Sequence, residues 1–261
     1  PPFLKNEGRE FFQRNKILAF PQRICYNIAM NVYAISDLHL SSDSSKPMNI
    51  FGGNWEGHFE KIKADWREKV TEEDVVLVAG DISWAMDLKE ALFDMEEFSA
   101  LPGEKILVRG NHDYWWNTAT KMNKFIESNK FDSIKILHNN SYTVNNISVC
   151  ASRGWMFESD EEHDEKILNR EVNRLKMSLD SAECEQKLVF LHYPPVTVNS
   201  ECREILNLLN EYGIKKCYYG HLHGMAVKYA VEGEIEGIDF NLISCDRLKF
   251  TPKLISSDKE L

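Results

Sequence analysis

Five short stretches of the 261-residue chain put carboxylates, imidazoles and an amide directly after apolar runs. They are Asp37-Leu38-His39, Gly80-Asp81, Gly110-Asn111-His112-Asp113, His192 and Gly220-His221-Leu222-His223, and they hold five of the eight histidines. Carboxylate oxygens, imidazole nitrogens and an amide oxygen form the mixed set that binds Mn, Fe, Zn, Co or Ni. The same groups can also move protons. Taken singly, each has an ordinary explanation. Asp and Asn form turns and cap helices, His192 ahead of Tyr193-Pro194-Pro195 can simply open a loop, and His221 and His223 alternate across extended backbone. Together they leave seven ligand-type residues at five strand ends, which turn chemistry alone does not account for.

Those strands are read from residues 31–36, 75–79, 105–109, 187–191 and 215–219. Each is a short run rich in Val, Ile, Leu or Tyr, too brief for a helix and suited to a strand covered on both faces. Between them, apolar residues recur at helical spacing: Phe59, Ile62, Trp66 and Val70; Leu88, Ala91, Leu92 and Met95; Leu168, Val172, Leu175 and Leu179; Ile205, Leu208, Leu209 and Tyr212. "SYTVNNISV" reads as a hairpin turning on Asn145-Asn146, and 226–245 as further strands with one turn at Glu232-Gly233. Alternating strands and helices predict an α/β protein. In such sheets ligands bind at the carboxyl edge, so parallel strands would bring the five stretches to one cavity.

Composition sets limits. Charged residues are 28% and apolar residues 43% of the chain, ordinary for a globular protein. No run approaches the roughly 20 apolar residues of a membrane span. The net charge of −10 disfavours non-specific binding to a nucleic-acid backbone. Six scattered cysteines without a C-x-x-C pair read as reduced thiols of a cytosolic (cytoplasmic) protein. Residues 1–29 show neither strand nor helix periodicity nor the core of a signal peptide. We expect them to be a peripheral extension that need not be native, with a docked arm as the alternative, and 30–261 to be a single domain.

In order and spacing the five stretches resemble the calcineurin-like metallophosphoesterases, over roughly Asn31 to Cys245. The resemblance implies a four-layered sandwich of two mixed β-sheets flanked by helices, and a prokaryotic-type hydrolase acting on phosphate mono- or diesters. It implies one metal held by Asp37, His39, Asp81 and His223, and a second by Asp81, Asn111, His192 and His221. His112 is left unliganded beside the pair. Two divalent or mixed-valence ions, Mn, Fe or Zn first among them, would then activate a bridging hydroxide and neutralise phosphoryl charge. His112 would act as general acid on the leaving oxygen. A small-molecule or nucleotide ester is the expected substrate.

Departures from the family pattern matter too. Many members read Gly-Asp-x-x-Asp, the second Asp orienting the catalytic histidine, and purple acid phosphatases have a metal-binding Tyr there; "GDISW" has Trp84 instead. The orienting role then falls to Asp87 or Asp113, although Asp113 could equally cap the next helix. The extra Arg-Gly of the Ser/Thr protein phosphatases is absent, which disfavours that role. Arg153 in "ASRGW" could clamp phosphate oxygens, or form a structural salt bridge, while Arg109 more naturally braces its loop. Trp84, Trp115, Trp116 and Trp155 could stack on a substrate, but packing is the commoner fate of Trp. His58, His138 and His163 read as surface or structural. Two other functions remain in view. One is a catalytically silent metal-binding scaffold, against which the retained His112 counts. The other is an amidohydrolase, which would open His-x-His and close on Asp, the reverse of this chain.

Overall fold

A computed structural model describes residues 30–41, 46, 48–155 and 165–256. The 1–29 segment and His163 lie outside the described residues. In chain order the elements begin with β1 (Val32–Ile35), α1 (His58–Lys69), β2 (Val75–Ala79), α2 (Leu88–Ser99), β3 (Glu104–Val108), α3 (Ala119–Ser128) and β4 (Ile134–Ile136). There follow β5 (Ser141–Val144), β6 (Ile147–Ser152), α4 (Glu165–Asp180), β7 (Lys187–Leu191), α5 (Arg203–Glu211) and β8 (Lys216–Tyr219). The last are β9 (Gly233–Ile235), β10 (Ile238–Leu242) and β11 (Lys253–Ser256).

The strands form two mixed sheets, ordered β11-β1-β2-β3-β4 and β5-β6-β7-β8-β10-β9. Each has four adjacent parallel strands, with β11 antiparallel at an edge of the first sheet and β5 and β9 antiparallel at the edges of the second. Period-2 alternation sends successive side chains to opposite faces. Thus Val32, Ala34, Leu77 and Ile106 meet Val149, Ala151, Phe190 and Tyr218 in a core between the sheets. Tyr33, Ile35, Val76, Val78 and Leu107 face outward onto Ile62 and Trp66 of α1, Ala91, Met95 and Phe98 of α2, and Met122 of α3. On the far side Cys150, Val189, Leu191 and Cys217 meet Leu168, Leu175 and Leu179 of α4 and Ile205 and Leu209 of α5. The result is the expected four-layered sandwich.

Register places the chemistry. Ala79 pairs with Val108, and Ser152, Leu191, Tyr219 and Leu242 stand level across the second sheet, so neighbouring strands end together. Beyond β1 and β10 the chains bridge directly, Ser36 N–H donating to Ile243 O at 2.8 Å, which ties the sheets at their carboxyl edge.

Some details differ from the sequence reading. The stretch from 224 to 229 is a 3-10 helix, and the tight turn of the following hairpin is Glu236-Gly237, with φ of 51° and 79°, rather than Glu232-Gly233. Gly233 instead opens β9. The predicted hairpin turn holds: Asn145 and Asn146 have φ of 48° and 59°. The thiols of Cys150, Cys184, Cys202, Cys217 and Cys245 are free. Among the described residues no helix is long and apolar enough to cross a membrane.

Candidate metal centre

The loops that leave β1, β2, β3, β7 and β8 meet at one end of the trough between the sheets. Asp37 N–H donates to Gly80 O at 3.0 Å and His39 N–H to Asp81 O at 2.9 Å, lacing the first two loops together. Asp37, His39, Asp81 and His221 all adopt left-handed backbone, with φ of 58°, 47°, 52° and 70°. For residues with side chains that conformation stores strain of about 1–3 kcal/mol each, typical of functional sites. Small neighbours make the approach feasible. A Cβ on Gly110 would collide with the Asp81 carboxylate, and one on Gly80 would strike the His192 ring and the Gly110 backbone.

Two groups of donors result. In the first, the ligand atoms of Asp37, His39 and His223 lie within 4.8 Å of one another, the two imidazole Nε2 atoms 3.2 Å apart. In the second, Asp81, His192 and His221 meet the same limit, and Asn111 Oδ1 lies 2.6 Å from His192 Nε2 and 3.0 Å from His221 Nδ1. The Asp81 carboxylate stands between them: Oδ2 is 3.8 Å from His39 Nε2 and Oδ1 is 3.4 Å from His192 Nε2.

Electrostatics favour cations here. Asp37, His39, Asp81 and His192 are buried. Burial holds His39 well below its ordinary 6.5 and brings His192 and His221 down to about 3, so all three present neutral nitrogen lone pairs. Burial, then Asp37 and Asp113, push the Asp81 carboxyl well up, the signature of an anion short of positive charge. Its Oδ2 is buried without a hydrogen-bond donor. An orphaned carboxylate oxygen among neutral imidazoles fits a metal ion. Supporting contacts fix the ligands: His192 Nδ1 lies 3.0 Å from Ala79 O, and Asp37 accepts from Ser36 Oγ at 2.5 Å and from His221 N–H.

The remaining predicted residues fare differently. His112 sits at the rim, its ring centroid 5.9 Å from that of His39 and its Nδ1 3.3 Å from Tyr114 Oη. Among the described residues the Asp113 carboxylate neither bonds His112 nor caps the next helix. Its buried carboxylate accepts from the N–H groups of Gly110, Asp81, Ile82 and Ser83 and from the Trp115 indole, while Thr118 caps α3. Asp87 is likewise committed elsewhere, as N-cap of α2. Arg153 is tied to Glu171, Nη2 to Oε1 at 3.3 Å, so the salt bridge exists. Its guanidinium also lies 5.6 Å and 5.9 Å from the rings of Trp155 and Tyr193.

Sequence reasoning offered Trp84 substrate stacking or packing; its ring stacks on His39 at 4.9 Å and leans on His112 at 4.3 Å. It thus fixes a metal-ligand candidate and the acid candidate at once. Tyr193, at 4.5 Å from the His221 ring, was also missed, and only the aromatic next to His192 hinted at it.

A structure titled as a phosphopantetheinyl hydrolase from Mycobacterium tuberculosis is similar at 13% identity and a TM-score of 0.53, covering 89% of this chain and 98% of that one. A protein of unknown function from Aquifex aeolicus matches at 17% identity and a TM-score of 0.48, over 88% and 97% of the two chains. At such identities the likeness concerns the fold alone. No curated protein matches the sequence. The family model described as calcineurin-like phosphoesterase matches residues 30–225, which include every donor of both groups, and this chain belongs to that family.

Proposed function

We propose that the protein is a two-metal phosphohydrolase cleaving a phosphate mono- or diester, with His112 protonating the leaving oxygen. The observation that carries this reading is the position of Asp81, one carboxylate oxygen turned to each donor group. Asp37, His39, His223 and Asp81 would hold one ion; Asn111, His192, His221 and Asp81 the other. Bound there, two ions supply Lewis acidity towards phosphoryl oxygens and a nucleophilic water at neutral pH.

The chain's own residues do the rest. Ala79 O and Asn111 fix His192, Trp84 fixes His39, and the Asp113 brace fixes the loop carrying Asp81. His112 is free of the donor groups, and its backbone N–H donates to Asp81 Oδ1 at 2.8 Å. Burial and His223 lower its imidazole from 6.5 while Asp37 opposes them, and an arriving anionic ester adds to the opposing side. The proton then passes from the imidazole to the departing alkoxide oxygen.

A screen of the metal-reconstituted protein over monoesters, diesters, cyclic nucleotides and nucleic acid tests the reading. Hydrolysis of at least one ester is expected. Metal binding with no turnover on any of them would favour a silent scaffold. His112→Ala should keep its metals yet lose about 100-fold or more on esters with poor leaving groups, less on activated aryl esters. Equal losses on both would remove His112 from the acid role.

A further inference from the structure

Among the described residues no carboxylate bonds the His112 imidazole: Asp113 serves backbone amides, and Asp87 caps α2. The ring has one hydrogen-bond partner instead, the Tyr114 hydroxyl, 3.3 Å from Nδ1. Local backbone arranges this. Tyr114 N–H donates to His112 O at 2.8 Å, closing a three-residue turn over 112–114. The middle residue, Asp113, is buried, while His112 on one side of it is half-buried and Tyr114 on the other is exposed. The turn thus sends the carboxylate into the fold and leaves the imidazole and the phenol together at the rim.

Three contacts govern the imidazole. The backbone N–H of His112 donates to Asp81 Oδ1 at 2.8 Å, which sets where the side chain begins. The Trp84 ring leans on it at 4.3 Å and an interplanar angle of 47°, which limits its tilt. Neither contact distinguishes the ring from its flipped orientation about χ2, a torsion whose preferences are broad and two-fold. The flip exchanges Nδ1 with Cδ2 and Nε2 with Cε1, so only a hydrogen bond to a ring nitrogen chooses between them. Tyr114 supplies that bond. With Nδ1 held, Nε2 has no partner among the described residues. Tyr114 is in turn braced by Lys46, whose ammonium lies 6.0 Å from its ring centroid and 4.9 Å from that of Trp84. A hydroxyl accepts from Nδ1–H or donates to a bare Nδ1, so the contact survives a change in the charge of the imidazole.

We propose that Tyr114 is the positioning residue of the general acid: its hydroxyl holds His112 Nδ1 and so frees Nε2 for the leaving oxygen. The inference rests on the phosphohydrolase reading, in which His112 is that acid. In the transfer the Nε2–H bond breaks and an O–H bond forms on the leaving group. The second proton stays on Nδ1, hydrogen-bonded to Tyr114 Oη. The imidazole is left neutral, and Tyr114 neither gains nor loses a proton.

Tyr114→Phe removes the hydroxyl and keeps the ring, at a position 49% exposed that the core does not need. In the chelated protein the nitrogen NMR resonance of His112 Nδ1 should move in this variant. In the metal-loaded protein kcat on esters with poor leaving groups should fall about threefold to tenfold, at unchanged KM and metal content. That range is the kinetic equivalent of one neutral hydrogen bond. Because Tyr114 acts through His112, adding Tyr114→Phe to His112→Ala should cost nothing further. An unmoved Nδ1 resonance overturns the proposal, as does a wild-type kcat or an equal loss in the His112→Ala background. A change in KM alone overturns it too, since the hydroxyl would then be touching substrate rather than the acid. Absence of turnover by the wild-type protein on every ester would fell the phosphohydrolase reading instead, and the Nδ1 resonance would still decide whether Tyr114 holds the ring.

Discussion

Five donors converge on the Asp113 carboxylate, four of them backbone amides of the two loops that carry Asp81 and Asn111. Asp113→Ala leaves them buried and unpaired, which should cost about 3 kcal/mol or more and displace Asp81. Thermal unfolding and elemental analysis check this together; a wild-type melting temperature with full metal content would show that the amides find other acceptors. Asp81 itself faces both donor groups, so Asp81→Asn should lower occupancy of both ions at once. Retention of one ion at full stoichiometry would contradict a shared carboxylate. Sequence spacing made the ligand types legible, because each follows a strand. It could not show which carboxylate serves His112, since Asp113 sits beside it in the chain yet points its oxygens at amides.

Lys105 illustrates what an element hides. At the head of β3 it is fully buried despite its charge. Its ammonium donates to the carbonyls of Ser99, Leu101 and Gly103, with Nζ 3.1 Å from the first and 2.8 Å from the last, closing the end of α2 onto the strand that leads to Asn111. Burial pulls its pKa down to about 8, against the opposing pull of the Glu72 and Glu104 carboxylates. Lys105→Met removes the charge and strands those carbonyls. We expect a loss of about 2–3 kcal/mol, read from denaturant unfolding, with little change in metal stoichiometry. An unchanged unfolding midpoint would mean that water satisfies the carbonyls. The central strands β1, β2, β3, β7 and β8 were legible from unbroken apolar runs. The three-residue β4 and the helix α3, where Met122 is the one fully buried side chain, carry too little pattern to read.

At the scale of the molecule, protonation opposes folding. Below their usual 6.5, burial lowers six imidazoles, those of His39, His58, His112, His138, His192 and His221. Three carboxyls, on Asp81, Asp113 and Asp246, are raised and act in the opposite sense. The balance leaves the unfolded chain binding more protons once pH falls below 6.5. Stability of the metal-free protein is therefore complete above that pH and declines towards pH 3, where His192 and His221 titrate in the fold. Melting temperatures of chelated protein from pH 7.5 to 4.5 check the sign; a flat or rising profile towards acid would show that the carboxyls dominate.

The sequence by itself determined which residues could hold metals and that they stand at strand ends, because strand and ligand signals are local and adjacent. It also determined α1, α2, α4 and α5, through their periodicity. Only the tertiary structure decided that two sheets bring β1, β2 and β3 opposite β7 and β8, since register and sheet pairing join residues more than a hundred positions apart. The same packing ties Arg153, after β6, to Glu171 of α4, a pairing that no single stretch of the chain reveals.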